Sequence, residues 1–101
     1  MHLVKQIEDM TLQLSEWRQD LHAHPELGFE EHRTSDFVAS KLEEFGVEVH
    51  REIGKTGVVG VLRQGNETRS IGLRADMDAL PIRETNEFSH KSKNPGKMHA
   101  C

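Results

Sequence analysis

Two aspartates follow a strand-like stretch in the second half of the chain. Residues 70–82 read Ser-Ile-Gly-Leu-Arg-Ala-Asp-Met-Asp-Ala-Leu-Pro-Ile, and Ile71 and Leu73 alternate with small or polar residues, which predicts a half-buried strand. If the chain stays extended, the carboxylates of Asp76 and Asp78 point to the same side. α/β enzymes place metals and catalytic groups just after the carboxyl ends of buried strands. The alternative is a strand that ends in a solvated acidic turn.

Cysteine and histidine supply the other candidate metal ligands. Cys101 is a soft ligand suited to zinc, but one cysteine by itself is not a metal site, and a free thiol is the alternative. His99 lies two residues before it. His22 and His24, at a predicted helix end, would diverge as ligands unless the backbone extended. A structural role is favoured for all three histidines, with His22 and His24 bonded to the frayed helix carbonyls and the turn that follows.

Two helices are predicted ahead of the acidic stretch. Apolar residues recur at helical spacing over residues 3–21 and predict an amphipathic helix that packs on the core. Because His24 precedes a proline, this helix is expected to end near His22. A second helix is predicted over residues 30–45, with Gly46 as its C-cap. The first apolar stripe consists of Leu3, Ile7, Met10, Leu14, Trp17 and Leu21, and the second of Phe37, Val38, Leu42 and Phe45.

Three strands are predicted to complete the architecture, at residues 47–53, 57–63 and 69–75. The turns between them are short, so the strands are expected to pair antiparallel in one sheet, with the last two adjacent. The valine-rich run at 58–62 predicts burial on both faces. Residues 83–97 are polar and without pattern, which indicates a surface excursion or, as the alternative, a lid or binding loop.

Composition excludes several classes of partner. The net charge of −4 does not suggest binding to nucleic acid or to an anionic membrane. No apolar run approaches 18 residues, so no transmembrane helix is expected. Charges within the N-terminal residues argue against a secretion signal, and a single cysteine fits a reducing cytoplasm. A cytoplasmic location is therefore expected.

Four ordered blocks carry a resemblance to a known family. Residues 74–82 (Arg-Ala-Asp-Met-Asp-Ala-Leu-Pro-Ile) resemble the motif of the metal-dependent amidohydrolases related to hippurate hydrolase, aminoacylase and the plant auxin-conjugate hydrolases. Residues 21–31, 56–60 and 95–101 agree in the same order. The resemblance implies the N-terminal portion, residues 1–101, of a zinc-peptidase-like α/β/α catalytic domain. The implied fold class is α/β, with two helices followed by a three-stranded, largely antiparallel stretch of a mixed sheet and without the lid and dimerisation domain.

The resemblance also implies roles for individual residues. Related metallopeptidases end this strand in a His-x-Asp pair, in which the histidine binds metal and the aspartate orients it. Here Arg74 stands in the first position and is no ligand, while Asp76 keeps the catalytic, site-orienting position. Cys101 is the implied metal ligand, and Asp78 and Arg74 are candidates for structural support. The family's next histidine, its general-base glutamate and its later ligands fall beyond Cys101.

The implied function is hydrolysis of the amide bond of N-acyl or N-aroyl amino acids through a metal-activated water. The implied cofactor is zinc or manganese, with two ions in the complete enzyme, which acts on a small molecule and is expected to be a homodimer. The alternative is a truncated, catalytically inactive product or a non-enzymatic interaction remnant. In either case, the 101-residue chain alone is expected to be inactive.

Overall fold

The computed structural model describes the backbone of residues 2–101 and the side chains from residue 4 onward. Three helices precede a two-stranded sheet, and the rest of the described backbone forms no further helix or strand beyond isolated bridges. None of the described helices is long and apolar enough to cross a membrane. The elements are α1 (His2–Asp9), α2 (Thr11–Ala23), α3 (His32–Glu44), β1 (Glu48–Ile53) and β2 (Gly57–Val61).

The predicted first helix is interrupted, because Met10 separates α1 from α2 with φ −92° and ψ 0°. Two side chains of the predicted stripe, Ile7 and Leu14, are 53% and 40% exposed, so this half of the stripe has little to pack against. Helical stability in proteins comes mainly from packing, and an unpacked helix tolerates such a break. Leu3, the first member of the stripe, has a side chain outside the described residues.

The second half of the stripe does pack, through an aromatic cluster between α2 and α3. The ring centroid of Trp17 lies 6.2 Å from those of both Phe37 and Phe45, and the Nζ atom of Lys41 lies 5.0 Å from the Trp17 ring centroid. Edge-to-face and cation–π contacts of this kind add to the area that the rings bury. The stripe therefore packs only where α3 faces it, with Trp17 and Phe37 half-buried and Phe45 still 57% exposed.

The ends of α3 show how local chemistry fixes the helix. Gly46 takes φ 79° and its N–H donates to the Glu43 carbonyl at 3.0 Å, so the predicted C-cap is confirmed. At the other end, the carboxylate of Glu26 accepts the N–H groups of Arg33 (3.0 Å) and Thr34 (2.7 Å). Burial raises the pKa of Glu26, but the hydrogen bonds from Thr34 and Arg33 outweigh it and leave the pKa below its usual value. A carboxylate from outside the helix thus caps it.

The sheet has two strands, and the prediction of three was wrong. β1 and β2 pair antiparallel, with Glu48 opposite Val61 and His50 opposite Val59, and a bulge interrupts the register before Ile53. The adjacent pair is therefore the first two predicted strands rather than the last two. Residues 69–75 are unpaired in the described structure. Alternation decides which side chains share a face, whereas a strand also needs a partner for its backbone N–H and C=O groups.

Two consequences follow for burial. Ile71 and Leu73 are 90% and 95% exposed instead of half-buried. β2 is not covered on both faces as predicted, since Val59 is 43% exposed, and Leu62 just after it is 70% exposed. Apolar composition alone indicates a fully buried strand, but burial requires layers on both sides. Among the described helices, α3 is the one that packs closely against the two strands.

The polar stretch 83–97 lies on the surface but is firmly anchored. The Lys93 N–H donates to the Ala23 carbonyl at 2.9 Å, and the Asn94 side-chain amide donates to the Pro25 carbonyl at 2.9 Å. An isolated bridge joins Leu80, just before the stretch, to Met98, just after it. A second bridge joins Leu27 to Ala79. These contacts fix the end of α2, where Ala23 and Pro25 are buried.

Candidate metal and catalytic site

An open cleft of about 1320 Å³ brings the predicted site residues to one surface. Asp76, Asp78, His99 and Cys101 all line it, together with residues from α2, α3 and the β1–β2 hairpin. Cys101 is a free, exposed thiol. Within the described part of the chain, no group of three or more histidine, cysteine, aspartate or glutamate side chains is arranged to hold a metal ion. The residues are thus assembled along one cleft without forming a coordination sphere.

Asp76 is paired with Arg74 in this cleft. The guanidinium Nη2 of Arg74 lies 2.6 Å from Oδ1 of Asp76, and the two side chains are 84% and 63% exposed. Exposed ion pairs contribute little stability because solvent screens them. The pair therefore restrains the carboxylate only weakly, and Asp76 stays accessible from the cleft.

His99 presents an unused nitrogen close to Asp78. Its Nε2 atom is buried and has no hydrogen-bond partner among the described residues. Burial and then the nearby His22, whose ring centroid is 6.4 Å away, lower the pKa of His99, while Asp78 acts in the opposite direction. A neutral imidazole with a free nitrogen is able to accept a proton or bind a metal. The residue types alone favoured a structural role and gave no signal of this free nitrogen.

The other two histidines have structural partners. His24 lies with Nδ1 2.9 Å from the Asp20 carbonyl, which confirms the predicted bond to a helix-end carbonyl. His22 instead lies with Nε2 2.7 Å from Oε2 of Glu84. The hydrogen bond from the Asn86 side chain, together with those from the Ser92 N–H and His22, lowers the pKa of Glu84 to about 2. His22 is thus held beside His99 by a carboxylate from the polar stretch.

A buried carboxylate supports the rim of the cleft. Glu31 is only 6% exposed; it accepts the Phe29 N–H at 3.1 Å and the Thr56 hydroxyl. These bonds join the turn before α3 to the turn between β1 and β2. Both partners lie in the blocks that carry the family resemblance, which was the available signal of their importance.

The donor atoms along the cleft fit a divalent metal in type. A thiolate from Cys101, an imidazole nitrogen from His99 and carboxylate oxygens are ligands that zinc and neighbouring divalent metals accept. The described residues supply part of such a set, because no three of them converge on one point. Completion of the site requires further donors.

Comparison with known proteins identifies relatives of this chain. No family model matches the chain. Hippurate hydrolase of Campylobacter jejuni is 54% identical over 101 residues, which are 100% of this chain and 26% of that protein. N-acyl-L-amino acid amidohydrolase of Geobacillus stearothermophilus is 47% identical over 98 residues, 94% of this chain and 26% of that protein. The chain is homologous to a segment of these two hydrolases. It spans about a quarter of the length of these relatives.

Solved structures agree with this homology. The Bacillus subtilis YXEP protein, a dinuclear metal-binding peptidase of the M20 family, matches with a TM-score of 0.85 and 39% identity over 93% of this chain and 27% of that chain. A proposed aminohydrolase from methicillin-resistant Staphylococcus aureus matches with a TM-score of 0.92 and 36% identity, over 98% and 26% of the respective chains. The predicted mixed α/β fold is thereby confirmed.

Proposed function

We propose that residues 1–101 form the N-terminal portion of the α/β/α catalytic domain of a metal-dependent amidohydrolase. The substrate class is N-acyl or N-aroyl amino acids, whose amide bond is hydrolysed. The observation that carries the proposal is the position of Asp76, Asp78 and Cys101 along one cleft, in the sequence blocks shared with the family. Support for the substrate comes from the names of two relatives, a hippurate hydrolase and an N-acyl-L-amino acid amidohydrolase.

The residues of this chain would bind and orient rather than transfer the proton. A bound pair of divalent ions, zinc or manganese, supplies an activated water and polarises the amide carbonyl. Cys101 would hold metal through its thiolate. Asp76 would accept the ring N–H of a metal-binding histidine and fix its tautomer, since carboxylates play this part next to metal sites. Arg74 lies 2.6 Å from Asp76 and would help to orient it, and Asp78 would support the same stretch.

Partners and location follow from the same proposal. The complete enzyme is proposed to have the full length of the relatives, of which residues 1–101 correspond to about a quarter. It acts on a small molecule in the cytoplasm. It forms a homodimer through its second domain. The net charge of −4 gives no basis for binding nucleic acid or an anionic membrane.

A second candidate function is non-enzymatic. Ile71 and Leu73 are almost fully exposed, and exposed apolar side chains next to an open cleft suit contact with another polypeptide. In this reading, the chain is an inactive product or an interaction remnant. The two candidates differ in whether metal and substrate are used at all.

The experiment is a hydrolysis assay on the complete enzyme. Release of glycine from hippurate and of free amino acids from their N-acetyl derivatives is measured with added zinc or manganese and again after chelation. The proposal predicts turnover that chelation removes and that returning the metal restores. Turnover that persists without metal, or no turnover on any N-acyl amino acid, would overturn it and leave the non-enzymatic candidate.

A further inference from the structure

Phe29, which lines the cleft, and Lys55 beside it adopt backbone conformations that are rare for their types. Phe29 has φ 66° and Lys55 has φ 82°, both in the left-handed region that favours glycine. Such conformations are energetically costly and persist where the surrounding structure imposes them, often at ligand sites. Glycine would adopt these φ values at a lower energetic cost, yet both positions carry a side chain.

One buried carboxylate links the turns that contain these two residues. Glu31 accepts the N–H of Phe29 and the hydroxyl of Thr56, the residue that follows Lys55. The acceptor is 6% exposed and Thr56 is 7% exposed, so the link between the two turns is shielded from water. The turn before α3 and the turn after β1 are therefore fixed relative to each other.

The result is an exposed aromatic ring with a cation beside it. The Nζ atom of Lys55 lies 5.2 Å from the ring centroid of Phe29. Phe29 is 66% exposed and lines the cleft that Asp76 and Cys101 also line. A Cβ atom placed on the neighbouring Gly28 would lie 3.8 Å from a carboxylate oxygen of Asp78, so this turn lies close to the acidic stretch. The ring is exposed rather than part of the core, and it lines the same cleft as the candidate site residues.

We propose that Phe29 and Lys55 form the subsite for the amino-acid half of the substrate. The inference rests on the proposed function and names the half of the substrate that this pair recognises. An N-acyl amino acid carries a free carboxylate and a side chain on the same carbon atom. An ammonium group beside an aromatic ring matches both, since Lys55 pairs with the carboxylate and the Phe29 ring contacts an apolar side chain. The preferred substrates are N-acyl derivatives of apolar amino acids with a free α-carboxylate.

The test compares N-acetyl-L-methionine with its carboxamide and with N-acetyl-L-alanine, using the metal-loaded complete enzyme. Lys55→Gln is expected to raise KM for the acid roughly two- to fivefold with kcat little changed, and to leave the carboxamide unaffected. Phe29→Leu keeps an apolar side chain and is expected to reduce the preference for methionine over alanine roughly threefold. Lys5→Gln, an exposed lysine on α1, is the matched control and changes neither value.

Binding measured without turnover gives an independent readout. Isothermal titration of N-acetyl-L-methionine into metal-free wild type and variants is expected to show the same loss of affinity as KM, and circular dichroism checks the fold. Equal affinity and equal KM in wild type and Lys55→Gln, together with an unchanged methionine preference in Phe29→Leu, would overturn the subsite and leave the amidohydrolase function standing. Absence of N-acyl amino acid turnover in the wild type itself would overturn the proposed function together with the subsite.

Discussion

The carboxylate of Glu84 lies 2.7 Å from Nε2 of His22, and the contact joins residues 62 positions apart. The Glu84 side chain is 3% exposed, and it also accepts hydrogen bonds from Asn86 and from the Ser92 N–H. A stretch of sequence without any regular pattern is thereby tied to the end of α2. This ionised side chain anchors a part of the fold in which no helix or strand is described.

Glu84 is expected to make the protein sensitive to acid. Its pKa is about 2 in the folded state against an ordinary value of 4.5, so its stabilising effect is fully present above pH 4.5 and is lost as the pH falls towards 2. Glu84→Gln is expected to flatten this decline. The measurement is the urea midpoint between about pH 5 and pH 2. Glu87→Gln, in the same stretch and exposed, is the control, and an equal slope in Glu84→Gln and wild type would contradict the prediction.

Gly57→Ala is expected to destabilise the hairpin. A Cβ at this position would meet the backbone carbonyl of Ile53 more closely than real Cβ atoms approach, and backbone cannot move aside cheaply. We expect the free energy of unfolding to fall by about 1 kcal/mol or more. Gly72→Ala is the matched control, because nothing lies within 4 Å of its Cβ position and φ there is not positive. Equal urea midpoints for the two variants would show that the hairpin relaxes freely.

Asp76→Asn is expected to impair catalysis in the complete enzyme. The substitution keeps the size but removes the charge that would orient a metal-binding histidine, and changes of this kind typically cost roughly 10–100-fold in metal affinity or activity. The measurement is kcat/KM on hippurate with saturating metal. Asp9→Asn, which removes an exposed carboxylate on α1, is expected to leave kcat/KM unchanged. Wild-type turnover in Asp76→Asn would remove this residue from the site.

Cys101→Ser is expected to weaken metal retention more than folding. A thiolate ligand loses its proton on metal binding, and a serine hydroxyl is a much poorer zinc ligand. Metal content after dialysis of the complete enzyme, measured by mass spectrometry, should fall while the urea midpoint changes little, because Cys101 is exposed. Equal metal content in variant and wild type would exclude the thiolate as a ligand.

The 101-residue chain by itself is expected to lack catalytic activity. Catalytic zinc takes three protein ligands plus water, and no three candidate ligands converge within the described structure. Exposed Leu62, Ile71 and Leu73 also favour self-association or partial unfolding of the isolated chain. Hydrolysis of hippurate in added zinc or manganese is measured beside light scattering. Metal-dependent turnover that co-purifies with the chain and vanishes in Asp76→Ala would contradict the prediction.

Local patterns determined much of this protein before any coordinates were considered. Interactions between residues close together in the chain explain three of the predictions. They are helix α3 with its Gly46 cap, the position of the β1–β2 turn and the structural role of His24. The family resemblance followed from four short blocks, whose order is a property of the sequence alone. Each of these depends on backbone preferences or on motif spacing, which the residue types fix directly.

Contacts between distant residues decided the rest. The unpaired stretch at 69–75, the break at Met10 and the exposure of β2 depend on whether a partner surface is present, which periodicity does not report. The buried link from Glu31 to Thr56 and the contact of His22 with Glu84 join residues 25 and 62 positions apart. Only the tertiary structure brings such groups together, because the strength of a polar contact depends on the distance and burial that the whole fold imposes.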